Sequence, residues 1–252
     1  MILRVNYFGW RGQEALIYPE ELGCDIIEDH THDPDGIWSQ KSKATFCCAS
    51  LRKTHPMPVG GAAWSPVGFS LSAPSPPSRA CLISSEAKLA GMILKQAYLL
   101  GAPINKEEFR AFLSRGEAGL ADEYVSDISK ISSTLLSLIS PWCLRKKRDE
   151  NFQALIHSGH IPEEFIAKKS LPTGCVPFSL VLLLPSESER DRVKRKLIEN
   201  RVYPAVLWPV SSSTDRCSAD FSSRMLSLPC DYRYAEPDIF RLLSIMKKVF
   251  VT

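Results

Sequence analysis

Two stretches hold residue types that could do chemistry. One runs from Asp25 to Gly36 (DIIEDHTHDPDG), the other from Lys43 to Gly61 (KATFCCASLRKTHPMPVGG). In the first, Asp29 closes a short apolar strand. In the second, Lys53 lies in the loop that leaves another apolar strand. A carboxylate at a strand end followed by a lysine in a loop is the layout required by a pyridoxal phosphate enzyme. The lysine amine forms an imine with the cofactor aldehyde. The carboxylate keeps the pyridine nitrogen protonated, so the ring can act as an electron sink.

Other readings of the same residues stay open. His30 and His32 with Asp29 and Asp33 suggest a metal site, because an HxH pair on a strand points both imidazoles to one side. Ser50-x-x-Lys53 also occurs in acyl-transfer serine enzymes, but no SDN or KTG partner accompanies it here. Arg52 beside Lys53 places two cations together, which lowers the proton affinity of each and favours a nucleophilic amine. As an alternative, both charges are simply solvated. Gly60-Gly61 allows a close backbone approach to a cofactor or subunit, or forms a plain turn.

The blocks IIEDHTH, CASLRK and the glycine pair resemble the Asp and Lys motifs of the DegT/DnrJ/EryC1/StrS aminotransferases. RVYPAVLWP and MLSLPCDYRYAEPDIFRLLSIMKK resemble the end of that family's small domain. The resemblance implies an α/β, type I aminotransferase-like (PLP-dependent transferase) fold. It has a partial large domain with a mainly parallel sheet over residues 1–140 and a small C-terminal α/β domain over 141–252. It implies a PLP-dependent aminotransferase that uses a Lys53 aldimine, with Asp29 fixing the ring charge. His32 would contact the ring oxygen and Ser50 would bind the cofactor phosphate. The implied partners are a small-molecule amino donor and a keto-sugar acceptor, nucleotide-linked, with the chain a homodimer. Family members are longer at the N-terminus, so the resemblance is to an N-terminally truncated member. The proline-rich segment after Gly61 replaces a stretch that faces the partner subunit in the family. A non-catalytic relative that binds a partner, or a gene fragment, is the alternative.

The elements around these motifs follow from pattern. Ile2–Phe8 reads as a parallel strand buried on both faces, Gln13–Leu22 as a helix closed by Gly23, and Cys24–Glu28 as the next strand, which together make a βαβ unit. Ala44–Ala49 is a strand, and Gly60–Trp64 pairs back with it. Ser65–Ser78, with four prolines, is a long loop, either a lid or a connector. Helices follow from about Ser84 to Gly101, after Asn105, and from Asp127 to Ile139, this last ended by Pro141. Beyond them come a helix Leu144–His157, a strand Phe178–Leu184, a helix Glu187–Asn200, strands Val202–Trp208 and Met225–Leu228, and a helix Glu236–Val249.

Among 252 residues, 44% are hydrophobic and 23% charged, enough for a real core. The net charge of +3 gives no reason to expect nucleic acid, and the run Arg145–Arg148 reads as a solvated face. No apolar run reaches the roughly 20 residues of a membrane span. MILRVNYFGW lacks the character of a signal peptide, and the eight cysteines show no CxxC spacing. A cytoplasmic protein with reduced thiols is expected.

Overall fold

In the computed structural model, which describes residues 1–120, 126–210 and 215–250, the strands around Asp29 form one small mixed sheet. β1 (Ile2–Val5), β2 (Ile26–Asp29) and β3 (Phe46–Ala49) run parallel. β4 (Ala62–Trp64) returns antiparallel to β3, and the order is β1-β2-β3-β4. The βαβ expectation holds for the strands but not for the crossover. Gln13–Ala15 is a 3-10 turn, and only Pro19–Leu22 (α1) is α-helical, closed by Gly23 in the left-handed region. β1 also differs from expectation. It is an edge strand, with Leu3 64% exposed, because only β2 pairs with it. Among the described residues, no helix is long and apolar enough to cross a membrane. All eight cysteines are free thiols.

The chain divides into two compact units. The first comprises Met1–Asn6, Leu16–Asp35 and Ser39–Pro141. The second comprises Tyr7–Ala15, Gly36–Trp38 and Trp142–Thr252. A short helix, Ile37–Lys41 (α2), was not visible in the sequence pattern.

In the first unit the sheet is joined by a helical hairpin of α3 (Arg79–Leu99) and α4 (Lys106–Ala118). α3 starts earlier than its apolar pattern, because Ser78 caps it by accepting the Cys81 N–H. Asn105 caps α4 as expected. The two helices can touch because Gly91 and Gly116 carry no side chain. A Cβ on Gly116 would lie 2.8 Å from the Ser84 carbonyl, and one on Gly91 would lie 2.8 Å from Leu113 Cγ. α5 (Lys130–Leu138) follows, capped by Ser129.

The second unit is built on an antiparallel pair, β5 (Ser179–Leu183) and β6 (Met225–Pro229). Side chains alternate across a strand. Leu180, Leu182, Leu226 and Leu228 therefore share one face. They form the main core with α6 (Pro141–Ile156), α7 (Glu187–Glu199) and α9 (Glu236–Phe250). Val181, Leu183 and Met225 share the other face with Phe8, Trp10 and Phe221. Pro141 opens α6 rather than ending the helix before it, as suits a residue without an N–H at a first helical position. Val202–Trp208 is not a strand. Only Ala205 bridges to Ser227, flanked by Pro204 and Pro209, which have no N–H to donate. Arg216–Arg224 (α8) was not foreseen.

Asn151 fastens the loop after β6. Its buried amide donates to the carbonyls of Cys230, Asp231 and Tyr234 at 3.0–3.2 Å. Asn151→Ala should destabilise this unit by about 2 kcal/mol, because buried carbonyls would lose their donor. A drop in the urea midpoint at unchanged slope would show it.

Candidate functional site

Asp29 is the last residue of β2, and Ser50 follows the last residue of β3. The parallel register pairs Asp29 with Cys48, so the two motifs leave the sheet at the same edge on adjacent strands. Adjacent strands lie about 4.8 Å apart. The carboxyl edge of a parallel sheet is where α/β proteins hold their ligands.

Asp29 and Cys48 share a sheet face with Val5 and Ala63. Asp29 is half-buried there, not deeply buried, and its Oδ1 accepts the Thr31 N–H at 2.8 Å in an Asx-type turn. Its other oxygen has no protein partner among the described residues. Burial, and after it the Asp29 charge, raises the Cys48 thiol pKa.

Lys53 ends a 3-10 turn, Leu51–Lys53, and its side chain is exposed. Among the described residues neither its ammonium nor the Ser50 hydroxyl bonds to another side chain. The loops that carry the acid and the lysine are joined at two points. Ser50 donates its N–H to Thr31 Oγ1 at 3.0 Å, and His55 Nε2 lies 3.3 Å from Asp35 Oδ2. His55 is buried and its Nδ1 is 3.0 Å from Thr54 Oγ1. His32 is buried in the turn just past Asp29, where Asp33 N–H reaches the His30 carbonyl.

Arg52 makes a two-pronged contact with Glu117 of α4 at 2.7 and 2.8 Å, and Lys88 of α3 pairs with the same carboxylate. The hydrogen bond from Arg52, then that from Lys88, lowers the Glu117 pKa to about 2. The Arg52 charge expected beside Lys53 is therefore matched by Glu117, and Arg52 serves as a clamp on the loop. Gly60 has φ +136°, and a Cβ on Gly61 would stand 3.1 Å from the Ala49 carbonyl. The close approach at this pair is to the protein's own β3.

The neighbour, Glu28, is by contrast deeply buried, 1% exposed on the opposite face. Arg4, its register partner on β1, reaches it at 2.8 Å, Ser42 Oγ donates at 2.7 Å, and His30 Nε2 lies 3.1 Å away. His30 stacks on Trp64. The grouping of metal-ligating types among the described residues is Glu28, His30 and Cys47, within 4.8 Å of one another, and not the His30, His32, Asp29, Asp33 set read from sequence. Strand alternation explains the difference, since Asp29 faces away from Glu28. The Glu28 oxygens already serve Arg4, Ser42 and His30, and Cys47 donates to Ser42. Burial pushes the Cys47 thiol up to about 11.

No family model matches this chain, and no curated protein does. Solved structures do. A DegT DnrJ EryC1 StrS aminotransferase from Brucella abortus superposes with a TM-score of 0.57 at 15% identity, covering 98% of this chain and 63% of that one. The fold is that of the DegT/DnrJ/EryC1/StrS aminotransferases. NtdA from Bacillus subtilis, solved with its cofactor PMP bound, gives 0.58 at 14% identity and covers 100% and 56%. The sugar aminotransferase CalS13 from Micromonospora echinospora gives 0.53 at 11% and covers 98% and 66%. The chain thus spans 56% to 66% of the length of these three aminotransferases.

The edge of this aminotransferase fold fits the cofactor by the chemistry of its donors. It offers an anionic oxygen, a hydroxyl and a primary amine, all without protein partners among the described residues. Thr31, Asp35 and His55 were missed in the sequence. The Asp-x-Thr spacing of an Asx turn was the available signal for Thr31.

The pH response of Glu28 is predictable. Burial alone would raise its pKa, but hydrogen bonds from His30 and Ser42, then the charges of His30 and Arg4, hold it below the usual 4.5. A depressed carboxylate pKa contributes stability that is complete above the unfolded value and fades as pH falls through the folded one. Urea midpoints between neutral pH and about pH 3 should therefore fall on acidification. Glu28→Gln should lose about 3 kcal/mol at neutral pH, because it removes the anion that Arg4 and His30 meet in the sheet, and should fall less steeply in acid.

Proposed function

We propose that this chain binds pyridoxal 5'-phosphate at the carboxyl edge of β2 and β3 and serves as an aminotransferase for a keto-sugar, nucleotide-linked. The observation that supports the reading is that Asp29 and Ser50 lie at neighbouring parallel strand ends with Lys53 in the 3-10 turn that follows Ser50, each with polar capacity unused by protein side chains among the described residues. The fold supports it, and the name of the sugar aminotransferase CalS13 supports the substrate class.

When bound, the cofactor supplies an electron sink for bonds to the amino-bearing carbon. In this reading Asp29 would hold a proton at the pyridine nitrogen, with its orientation fixed by the Thr31 N–H. Ser50 would donate its hydroxyl to the phosphate, and His32 would orient the ring. Lys53 would hold the cofactor covalently through its amine and move the proton of the substrate carbon. Thr31–Ser50 and Asp35–His55 would keep acid and amine at a constant separation. The reading also takes residues 1–140 as the cofactor-binding domain and 141–252 as the small domain, in a cytoplasmic homodimer.

Added pyridoxal phosphate should give the purified chain a long-wavelength absorption band that free cofactor lacks. Lys53→Ala should abolish the band with an unchanged circular dichroism spectrum. Asp29→Asn should weaken cofactor binding about 10- to 100-fold, the worth of a hydrogen bond to a charged group. An identical band in Lys53→Ala would overturn the assignment of the amine.

A further inference from the structure

On the face of β5 and β6 opposite the main core, the second unit holds a cavity of about 650 Å³. Sites for small molecules have volumes of this order. Three segments far apart in sequence wall it: Tyr7–Ala15, the stretch around Trp208, and α8. Each contributes rings. Trp208 meets Tyr7 and Phe8 edge-on at 4.9 and 5.3 Å, Phe8 lies 4.8 Å from Trp10, and Trp10 meets Phe221 of α8 edge-on at 6.4 Å.

The rings are set in place before any guest arrives. Phe8 has φ +60° and Trp208 has φ +48°, a backbone region that large side chains rarely enter. The segment that carries Trp208 is fastened at three successive residues. Leu207 gives its N–H to the Met225 sulfur at 3.4 Å, the Trp208 carbonyl accepts the Ser222 hydroxyl at 2.7 Å, and the same hydroxyl oxygen accepts the Val210 N–H at 3.2 Å. On the facing wall the Phe8 carbonyl accepts the Phe178 N–H at 2.8 Å. Strain persists where surrounding structure over-determines it, and it collects at ligand clamps. A wall fixed in advance also spares a guest the entropy of ordering it.

The polar groups of the lining are spent largely on the walls themselves. Lys168 donates to the Trp10 carbonyl at 3.3 Å and lies over the Trp10 ring at 6.0 Å, so a cation already uses that ring. Glu14 accepts the Gly12 N–H of its own loop at 2.9 Å. Arg11 has an interaction of its own. Lys168 and Glu14 therefore stand one against one, and the lining favours neither sign of charge. A charged guest would surrender its water without gaining an opposite charge in excess. Ser218 and Ser222 give their hydroxyls to Asp215 and to the Trp208 carbonyl. Ring surface dominates what is left for a guest, and rings pair with rings by more than the area they bury.

We propose that this cavity binds an uncharged aromatic small molecule of two or more rings. The proposal goes beyond the cofactor reading and does not rest on it, since its test contains no pyridoxal phosphate and leaves Lys53 intact. The full chain would be titrated with N-phenyl-1-naphthylamine, a neutral ring system that fluoresces once out of water. Three competitors would then displace it: 1-anilinonaphthalene-8-sulfonate, which adds an anion to the same skeleton; trimethyl-1-naphthylammonium, a cation; and 1-nonanol, a neutral aliphatic. The neutral probe should bind saturably at one site. Each competitor should bind about tenfold more weakly or worse, the charged ones for lost hydration and the alcohol for lost ring contacts. Trp208 and Tyr7 are 41% and 48% exposed, so Trp208→Ala and Tyr7→Ala should keep the native circular dichroism spectrum. Each should weaken the probe about tenfold, the worth of one aromatic contact with its burial. Phe240→Ala, at an exposed ring of α9 outside the cavity, should leave binding unchanged. Three results would each overturn the proposal: no saturable binding of the neutral probe, a competitor that binds as tightly as the probe, or a probe affinity indifferent to Trp208→Ala.

Discussion

The parallel pairing of β2 with β3 is the constraint on which the rest of this structure depends. Asp29 and Lys53 are distant in sequence, and only the register that sets Asp29 against Cys48 brings their loops to one sheet edge. Two features secure that register. On the buried face Glu28 collects Arg4 from β1 and Ser42 from the loop before β3. Beyond the strand ends, Ser50 and Thr31 share a hydrogen bond. The side chains that lock the sheet and those that would meet a ligand thus alternate along one strand, locking residues inward and functional ones outward.

Much of this frame was legible in the sequence. The apolar runs ending at Asp29 and Ala49, the antiparallel return at Trp64 and the Asn105 cap are local patterns, and local patterns were sufficient for them. What escaped was non-local. The burial of Glu28 depends on a partner 24 residues away on the adjacent strand, and His55 meets Asp35 only after both loops have folded. α8 has too little apolar periodicity to announce itself, its sequence being RCSADFSSR. Val202–Trp208 misled for the opposite reason. It is apolar enough for a strand, but Pro204, Pro209 and the left-handed backbone at Trp208 break the ladder.

The second unit uses its two-stranded sheet twice. One face is closed by leucines and three helices into an ordinary core. The other carries aromatic residues whose backbone conformations cost about 1–3 kcal/mol each. The leucine core offsets that cost, so strain can be held on a face that packs less tightly. A sheet this small tolerates such a face because its other face is fully covered.

Chemical trapping at the lysine tests the central claim most directly. The chain would be mixed with pyridoxal phosphate, reduced with borohydride, digested and read by mass spectrometry. The account predicts a pyridoxyl group on Lys53 at near-stoichiometric yield, with Lys88 and the other lysines unmodified. A label spread over surface lysines, or absent from Lys53, would contradict it.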